Sequence, residues 1–253
     1  MKPHLSTTTT AHPLSVTFFN TFTLQLHDQP LPVQMLRPKL QSVLAYLLYR
    51  HPQVVTCAQL NDQFWPSSSS NNSVFNAIST LRQWAREQLP APLLLTTRGG
   101  KAYRLSSVYA LTSDFEKLQR WHRQSVQLRE RAAIDQLLHQ ALACYTGRFG
   151  QDLPANDWSL GPAFTAEEQL AGIFRYACRR LREWNDHQAI IDWGLQFLPL
   201  APAQEEVSYQ LALAYQQSGW EGRALQQIQR CQTEVCSTRL RLLEQQLRAG
   251  QTA

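Results

Sequence analysis

The chain lacks any run of about 18 apolar residues, which is the length that a membrane-spanning helix needs. Its first eleven residues are rich in Thr and lack the apolar core that defines a secretory signal peptide. We therefore expect residues 1–13 to form a disordered lead-in, and we expect the protein to act in the cytoplasm.

Cysteine is scarce, and its spacing excludes the usual uses of paired thiols. The five cysteines are Cys57, Cys144, Cys178, Cys231 and Cys236, and none forms a CxxC pair. A disulfide framework or a structural zinc site needs closer and more regular spacing. The pattern is typical of buried or idle thiols in a reducing compartment.

Catalytic motifs are missing as well. The seven histidines fall in different predicted elements without metal-ligand spacing, and there is no HExxH, GxSxG or Walker sequence. The glycine turn at residues 98–101 is too short for a phosphate-binding loop. We therefore expect a binding protein rather than an enzyme, with no metal and no cofactor.

Acidic residues are rare in the first part of the chain. Residues 1–111 hold nine Lys or Arg against three Asp or Glu, a net charge of +6, whereas residues 112–253 hold fifteen against sixteen, a net charge of −1. A local excess of positive charge favours a polyanion partner, because phosphate neutralisation and counterion release drive most DNA affinity. A merely soluble basic surface is the alternative.

The N-terminal part begins with short alternating patterns. Residues 16–20 and 22–27 alternate apolar and polar side chains, and with residues 31–35 they predict two or three short antiparallel strands. Pro38 suits the first turn of a helix, where a missing N–H costs nothing. Leucines at helical spacing extend this first helix to about Arg50.

Two further helices and a hairpin follow. Thr56 can cap the second helix, with Gln59 as its capping-box partner. The third helix runs from about Asn72 to Gln88, because apolar residues recur there at positions i, i+4, i+7 and i+11. Two apolar segments then flank the glycine turn of residues 98–101. Three helices and a hairpin in this order outline a winged helix, a module that reads DNA.

The third helix carries a polar face opposite its apolar stripe, and such a face fits the major groove. Asn and Gln make bidentate contacts to adenine, whereas Ser and Thr contact bases or phosphates. The predicted DNA-reading residues of this helix are Asn72, Asn76, Ser79, Thr80, Arg82, Gln83 and Arg86. The predicted backbone contacts of the hairpin, or wing, are Arg98, Lys101 and Arg104. Either feature alone also fits an ordinary solvated surface, but their order in the basic part favours DNA.

The C-terminal part is almost entirely helical in pattern. We predict a loop over residues 148–162 and a long helix over residues 164–183. Residues 176–190 align with residues 211–225 at an offset of 35, which is close to the tetratricopeptide period. Stacked helix pairs of this kind form a concave surface for a peptide or another helix. A helical bundle that serves only dimerisation or packing is the alternative.

Four features of the first part carry a family resemblance. They are Arg37-Pro38-Lys39 before an apolar helix, Leu60 with Phe64-Trp65-Pro66, Ala77-Ile-Ser-Thr-Leu81-Arg82, and Gly100-Lys-Ala-Tyr103-Arg-Leu105. Together they resemble the OmpR-type winged helix over residues 14–108, and more narrowly the version found in SARP-type bacterial activators. The chain departs from that family at Ala102, where a glycine is usual, and in a third helix that is poor in cations.

Three features of the C-terminal part carry a second family resemblance. They are Ala141-Leu-Ala-Cys-Tyr145-Thr-Gly147-Arg-Phe149, Asp157-Trp158, and Leu198-Pro-Leu ahead of Glu205-Glu206. They resemble the bacterial transcriptional activator domain, to which we assign residues 112–253. The expected fold is therefore mostly α, with a winged helix-turn-helix followed by an α-helical tetratricopeptide-like domain.

The resemblance implies a bacterial transcriptional activator that works at the nucleoid. It implies binding of double-stranded DNA at promoter direct repeats as a head-to-tail homodimer, and recruitment of RNA polymerase through Trp65, Ser67 and Ser68. It also allows a peptide or protein ligand on the repeats. The alternative is a tetratricopeptide-type scaffold whose winged helix binds protein rather than DNA, and the cation-poor third helix favours it.

Overall fold

The structure, a computed structural model, describes residues 11–67, 70–97, 99–154, 157–200, 204–233 and 237–250. The chain divides into two compact units. Unit 1 comprises Met1–Asp114 with Phe149–Pro162, and unit 2 comprises Phe115–Arg148 with Ala163–Ala253. Three predicted features lie outside the described residues, namely the lead-in up to residue 10, Ser68 and Arg98. No helix in the described ranges has the length and hydropathy that crossing a bilayer requires.

The described part of unit 1 contains two small sheets. In chain order its strands are β1 (His12–Thr17), β2 (Thr23–Leu26), β3 (Gln29–Pro30), β4 (Val55–Thr56), β5 (Leu94–Thr96), β6 (Ala102–Leu105) and β7 (Tyr109–Ser113). The first sheet has the order β3-β2-β1-β7, with β1 antiparallel to β2 and parallel to β7. The second has the order β4-β6-β5 and contains the predicted hairpin, which is confirmed.

The third strand differs from the prediction. The N–H of Leu31 still donates to the carbonyl of Leu24 in β2 at 2.8 Å, but the strand does not continue over residues 32–35, because β3 covers Gln29–Pro30 and Val33–Met35 forms a 3₁₀ turn. Pro30 and Pro32 account for this result, since proline donates no N–H to a strand ladder and is confined to edges and strand ends.

The helices of the winged helix are α1 (Pro38–Tyr49), α2 (Cys57–Phe64) and α3 (Asn72–Gln88). Pro38 occupies the first turn of α1, as predicted. Thr56 and Gln59 form a complete capping box at α2, also as predicted. The apolar stripe of α3 is buried. The winged-helix fold that the sequence predicted is therefore confirmed.

The segment Phe149–Pro162 completes the core of unit 1. The ring of Phe149 stacks on Phe18 with the centroids 4.9 Å apart, and the Trp158 ring lies edge-on to Tyr46 at 5.4 Å. Aromatic pairs contribute about 0.5–1.5 kcal/mol beyond the surface that they bury. The core around the winged helix thus includes residues that follow the hairpin by a long stretch of chain.

Two carboxylates hold the β1–β2 connection. Asp114 accepts the backbone N–H of Phe18 at 2.9 and 2.8 Å and that of Phe19 at 2.9 Å. Both oxygens of Asp152 accept the N–H of Phe22 at 2.9 Å. A buried N–H without an acceptor costs about 1–3 kcal/mol, so these two aspartates stabilise a turn that the sheet itself leaves unpaired.

The remaining helices are α4 (Asp114–Ser125), α5 (Arg131–Cys144), α6 (Asp157–Glu183), α7 (His187–Phe197), α8 (Glu205–Gln217), α9 (Glu221–Gln232) and α10 (Thr238–Gly250). The loop predicted over residues 148–162 is too long, because α6 already begins at Asp157 and includes Pro162. The sequence Gly161-Pro162 is typical of a helix break. A proline this close to the start of a helix removes only one backbone hydrogen bond, so α6 continues through it.

The helix pairs of unit 2 repeat. Asn185 and Gly219 adopt positive φ angles of 56° and 76° at the ends of α6 and α8. The N–H of Asp186 donates to the carbonyl of Leu181 at 2.9 Å, and the N–H of Trp220 donates to the carbonyl of Tyr215 at 2.8 Å. These bonds form two Schellman motifs, spaced 34 residues apart. That spacing is the tetratricopeptide period, so the predicted helical repeats are confirmed.

Gly194 lies where α7 and α8 approach closely. A Cβ atom there would lie 2.6 Å from both Cγ and Cδ2 of Leu211, which is fully buried. Gly194→Ala is therefore expected to lower the free energy of unfolding of unit 2 by about 1–3 kcal/mol, measured by urea denaturation. The control is Gly222→Ala in α9, where a Cβ meets nothing within 4 Å. It should be neutral or stabilising by up to about 1 kcal/mol. Equal losses in both variants would contradict the close-packing explanation.

Candidate nucleic-acid interface

The outer face of α3 is exposed, while its inner face is buried in the core of unit 1. Val74, Ile78, Leu81 and Ala85 form the buried stripe. The predicted DNA-reading residues Asn72, Asn76, Ser79, Thr80, Gln83 and Arg86 are all exposed, and Arg82 is half-buried. The structure therefore brings six of the seven predicted residues of this helix to one solvent-facing surface.

This face keeps most of its hydrogen-bonding capacity. The side chains of Asn72, Asn76, Ser79 and Gln83 have no hydrogen-bond partner among the described residues. Thr80 Oγ1 donates to the carbonyl of Asn76 at 3.0 Å, which leaves the hydroxyl oxygen available as an acceptor. Unpaired amides on an exposed helix can bond to base edges without first breaking a contact within the protein.

Phe75 is a further residue on this face, and the prediction from sequence omitted it. Its side chain is 46% exposed, although it lies next to the buried Val74. It falls outside the apolar stripe on the helical wheel. An apolar residue off the stripe is the sequence signal that could have identified it.

Arg82 connects α3 to the hairpin instead of pointing freely outward. Its Nε donates to the carbonyl of Leu94 at 3.2 Å, and its Nη2 donates to Thr96 Oγ1 at 2.5 Å. The guanidinium also lies 5.6 Å from the centre of the Tyr103 ring. Arg82 therefore fixes the position of the wing relative to the helix.

Arg82→Ala is expected to destabilise the hairpin by about 1–3 kcal/mol, because hydrogen bonds from a charged donor are lost in a half-buried place. Faster hydrogen exchange at the amides of β5 and β6 would measure the loss. Arg86→Ala is the matched control, since Arg86 is exposed and, among the described residues, bonds only the carbonyl of Arg82, at 3.3 Å. It should change stability by less than about 0.5 kcal/mol. Unchanged exchange in Arg82→Ala would contradict the anchoring role.

The wing presents cations beside a glycine turn. Gly99 and Gly100 adopt positive φ angles of 97° and 71°, which residues with a Cβ rarely adopt. The N–H of Gly100 donates to the carbonyl of Thr97 at 3.0 Å and closes the turn. Lys101 and Arg104 are exposed. The described cations of the wing can therefore reach a phosphate backbone.

Tyr103 supports the wing from inside. Cys57 Sγ contacts its hydroxyl at 3.7 Å, and burial together with this hydrogen bond raises the pKa of Tyr103 to about 12. Val55 pairs with Tyr103 in the β4–β6 ladder. The side chain is neutral at physiological pH and acts as a core residue, which leaves the exposed cations as the charged groups of the wing.

The predicted polymerase-contact residues lie at the end of α2. Trp65 is half-buried, and the Nζ of Lys39 lies 5.0 Å from the centre of its ring. Ser67 is exposed. These two residues follow Phe64, which is buried against Tyr46 with the ring centroids 5.7 Å apart.

The charge is distributed differently between the folded units than between the two halves of the sequence. Unit 1 includes Asp114, Asp152 and Asp157, so it holds nine Lys or Arg against six Asp or Glu, a net charge of +3. Unit 2 holds fifteen against thirteen, a net charge of +2. The expectation that all the excess positive charge belongs to the DNA-reading part is therefore wrong. Local placement of cations has to account for any affinity for phosphates.

Unit 2 has its own cationic face, formed by α6, α8 and α10. Glu206 Oε2 pairs with Arg239 Nη1 at 2.9 Å and with Arg175 Nη1 at 3.7 Å. The guanidinium of Arg239 lies 3.5 Å from the centre of the Tyr209 ring. Arg179, one turn beyond Arg175 on α6, is exposed and has no partner among the described residues. The arginines outnumber the carboxylate, so this face suits an anionic group.

Within the described residues, no group of three or more His, Cys, Asp or Glu side chains could hold a metal ion.

Comparisons with known proteins agree with this architecture. A sequence profile of the bacterial transcriptional activator domain matches residues 112–247. No curated protein sequence matches the chain. Among solved structures, the chain is similar to Mycobacterium tuberculosis EmbR in complex with a low affinity phosphopeptide, at 18% identity and a TM-score of 0.70 over 94% of this chain. The chain spans 66% of the length of that EmbR chain. At this identity, the likeness shows a shared fold.

Proposed function

The chain belongs to the bacterial transcriptional activator domain family. We propose that it is a transcriptional regulator of the SARP type and that it binds specific double-stranded DNA sequences through unit 1. The observation that carries the proposal is the outer face of α3. That face combines exposed side chains that have no hydrogen-bond partner among the described residues with an adjacent cationic wing. A polar helix face beside a cationic hairpin suits the major groove and the flanking backbone.

The helix α3 and the wing have different roles in the proposed interface. Asn72, Asn76, Ser79, Thr80 and Gln83 read base edges, because their uncharged groups distinguish donor and acceptor patterns. Arg98, Lys101 and Arg104 hold phosphates, with Arg86 as a further cation on the helix. Phosphate contacts fix the register without carrying sequence information, so affinity depends on the wing and specificity on the helix.

The same proposal includes the activating step. The regulator binds direct repeats as a head-to-tail homodimer in the bacterial cytoplasm, at the nucleoid, and recruits RNA polymerase through Trp65, Ser67 and Ser68. Support comes from the resemblance to SARP-type activators and from the exposure of Ser67 at the end of α2.

Unit 2 is proposed to bind an acidic segment of a partner protein on its cationic face. Arg175, Arg179 and Arg239 supply the complementary charge. Arg179→Glu reverses one charge without removing a contact to any described residue. It should abolish binding of a fluorescent oligoglutamate peptide to the full chain if this face is the site.

The DNA proposal is tested with the full chain and DNA from upstream of its own gene cluster. A protected footprint that weakens steeply with salt is expected. The alternative function is a protein-interaction scaffold, which the small number of free cations on α3 favours. Absence of any protected site, together with salt-insensitive capture of a protein by unit 1, would establish that alternative instead.

A further inference from the structure

We propose that Phe75 contacts the 5-methyl group of a thymine and so determines part of the DNA sequence that α3 selects. The inference deepens the proposed DNA binding and depends on it. It starts from an apolar ring in an unusual place. Among the described residues of unit 1, Phe75 is the one Phe, Tyr or Trp whose side chain is exposed.

The fold does not require this ring. Val74 and Ile78 already fill the inner face of α3 and are almost fully buried. Phe75 instead projects from the outer face, where half of an aromatic ring contacts water at a cost in free energy. A ring that contributes little to the core and remains exposed is better explained by contact with a partner.

The neighbours of Phe75 indicate which partner. Residues three and four apart share one face of a helix, so Asn72 and Ser79 flank Phe75. Asn76, the next residue, lies about 100° further around the same outer surface. All three are exposed, uncharged and able to bond to base edges. Phe75 is also the fourth residue of α3, in the N-terminal part that contacts bases in recognition helices.

The major groove offers one apolar group to such a ring. Thymine presents its 5-methyl group there beside an acceptor oxygen, and the other three bases present hydrogen-bonding groups without a methyl. A phenyl ring set among amides and a hydroxyl matches a thymine flanked by bases that offer donors and acceptors. The preferred site should therefore contain one thymine whose methyl group is needed for full affinity.

The test uses the full chain and its preferred site, selected from random double-stranded oligonucleotides. Each thymine is replaced in turn by deoxyuridine, which lacks only the methyl group. At one position the wild-type protein should bind about fourfold more weakly, as expected for the loss of one buried methyl group. Phe75→Ala should bind the thymine site more weakly and should bind thymine and uracil equally at that position.

Two variants serve as controls. Phe75→Leu keeps an apolar side chain and should retain part of the preference for thymine. Met35→Ala removes another exposed apolar side chain of unit 1, 80% exposed and outside α3, and should leave the preference unchanged. Because neither Phe75 nor Met35 is buried, both alanine variants should keep the melting temperature of the wild-type protein.

The outcomes separate the two proposals. If the wild-type protein selects no DNA, both the DNA-binding proposal and this assignment are overturned. If it selects DNA but Phe75→Ala keeps the same preference for thymine over uracil, only the assignment of Phe75 is wrong. If the wild-type protein shows no preference for thymine at any position while Phe75→Ala weakens binding to thymine and uracil sites alike, the ring contacts something other than the methyl group, such as a second copy of the chain.

Discussion

Replacing Phe149 by Ala is expected to lower the free energy of unfolding of unit 1 by about 3–5 kcal/mol. The buried ring lies 4.9 Å from Phe18, 5.7 Å from Tyr49 and 5.9 Å from Trp158, measured between centroids. Large aromatic neighbours cannot collapse into the cavity that remains. Because a domain has a stability of about 5–15 kcal/mol, this loss leaves unit 1 close to unfolding.

Hydrogen exchange measures the effect in the full chain. Amides of β1 and α1 belong to unit 1, so their exchange reports its opening separately from that of unit 2. Leu160→Ala is the matched control, because Leu160 lies in the same segment but is 53% exposed. It should change stability by less than about 0.5 kcal/mol. Normal protection in Phe149→Ala would show that the segment is not part of the core.

The same contacts decide how DNA binding should be tested. A fragment that ends near residue 111 lacks Asp114, Phe149, Asp152 and Trp158, which satisfy backbone groups and fill the aromatic core of unit 1. Such a fragment is expected to fold poorly. Its failure to retain DNA would reflect lost structure, so the full chain is the appropriate material.

Features that depend on near neighbours could be predicted from the sequence. The N–H of Gln59 donates to Thr56 Oγ1 at 3.1 Å, and the N–H of Thr56 donates to Gln59 Oε1 at 2.9 Å. This capping box involves residues three positions apart, so the local pattern alone identifies it. The buried stripe of α3 follows from helical periodicity for the same reason.

Features that depend on distant partners could not be predicted from the sequence. Asp114 and Asp152 accept N–H groups 96 and 130 positions earlier in the chain, and no local pattern marks either contact. The sequence predicts Arg82 as a DNA contact on the helix, but no local pattern indicates that it also donates to Leu94 and Thr96, which the chain brings beside it after turning back. The charge difference between the sequence halves does not carry over to the folded units for a related reason, since the fold brings three later aspartates into unit 1.

The double variant Lys101→Ala, Arg104→Ala is expected to weaken DNA binding about 10–100-fold near physiological salt and to flatten the log–log salt slope by about two. Each removed phosphate contact releases about one counterion fewer. Both side chains are exposed and flank the buried Tyr103, so their removal should leave the hairpin folded. Binding titrations at several salt concentrations measure both quantities.

The matched control removes one Lys and one Arg elsewhere, in Lys117→Ala with Arg120→Ala on α4, where both side chains are exposed. It changes the net charge of the chain equally, so an equal loss of slope would assign the effect to overall charge and overturn the role of the wing.

Asn76→Ala completes the comparison. It should lower affinity for the preferred site by about 1–3 kcal/mol and leave the salt slope unchanged, because an amide that reads a base displaces no counterion. If the wing variant changes the salt slope and Asn76→Ala changes the specificity, the helix selects the sequence and the wing holds the phosphate backbone.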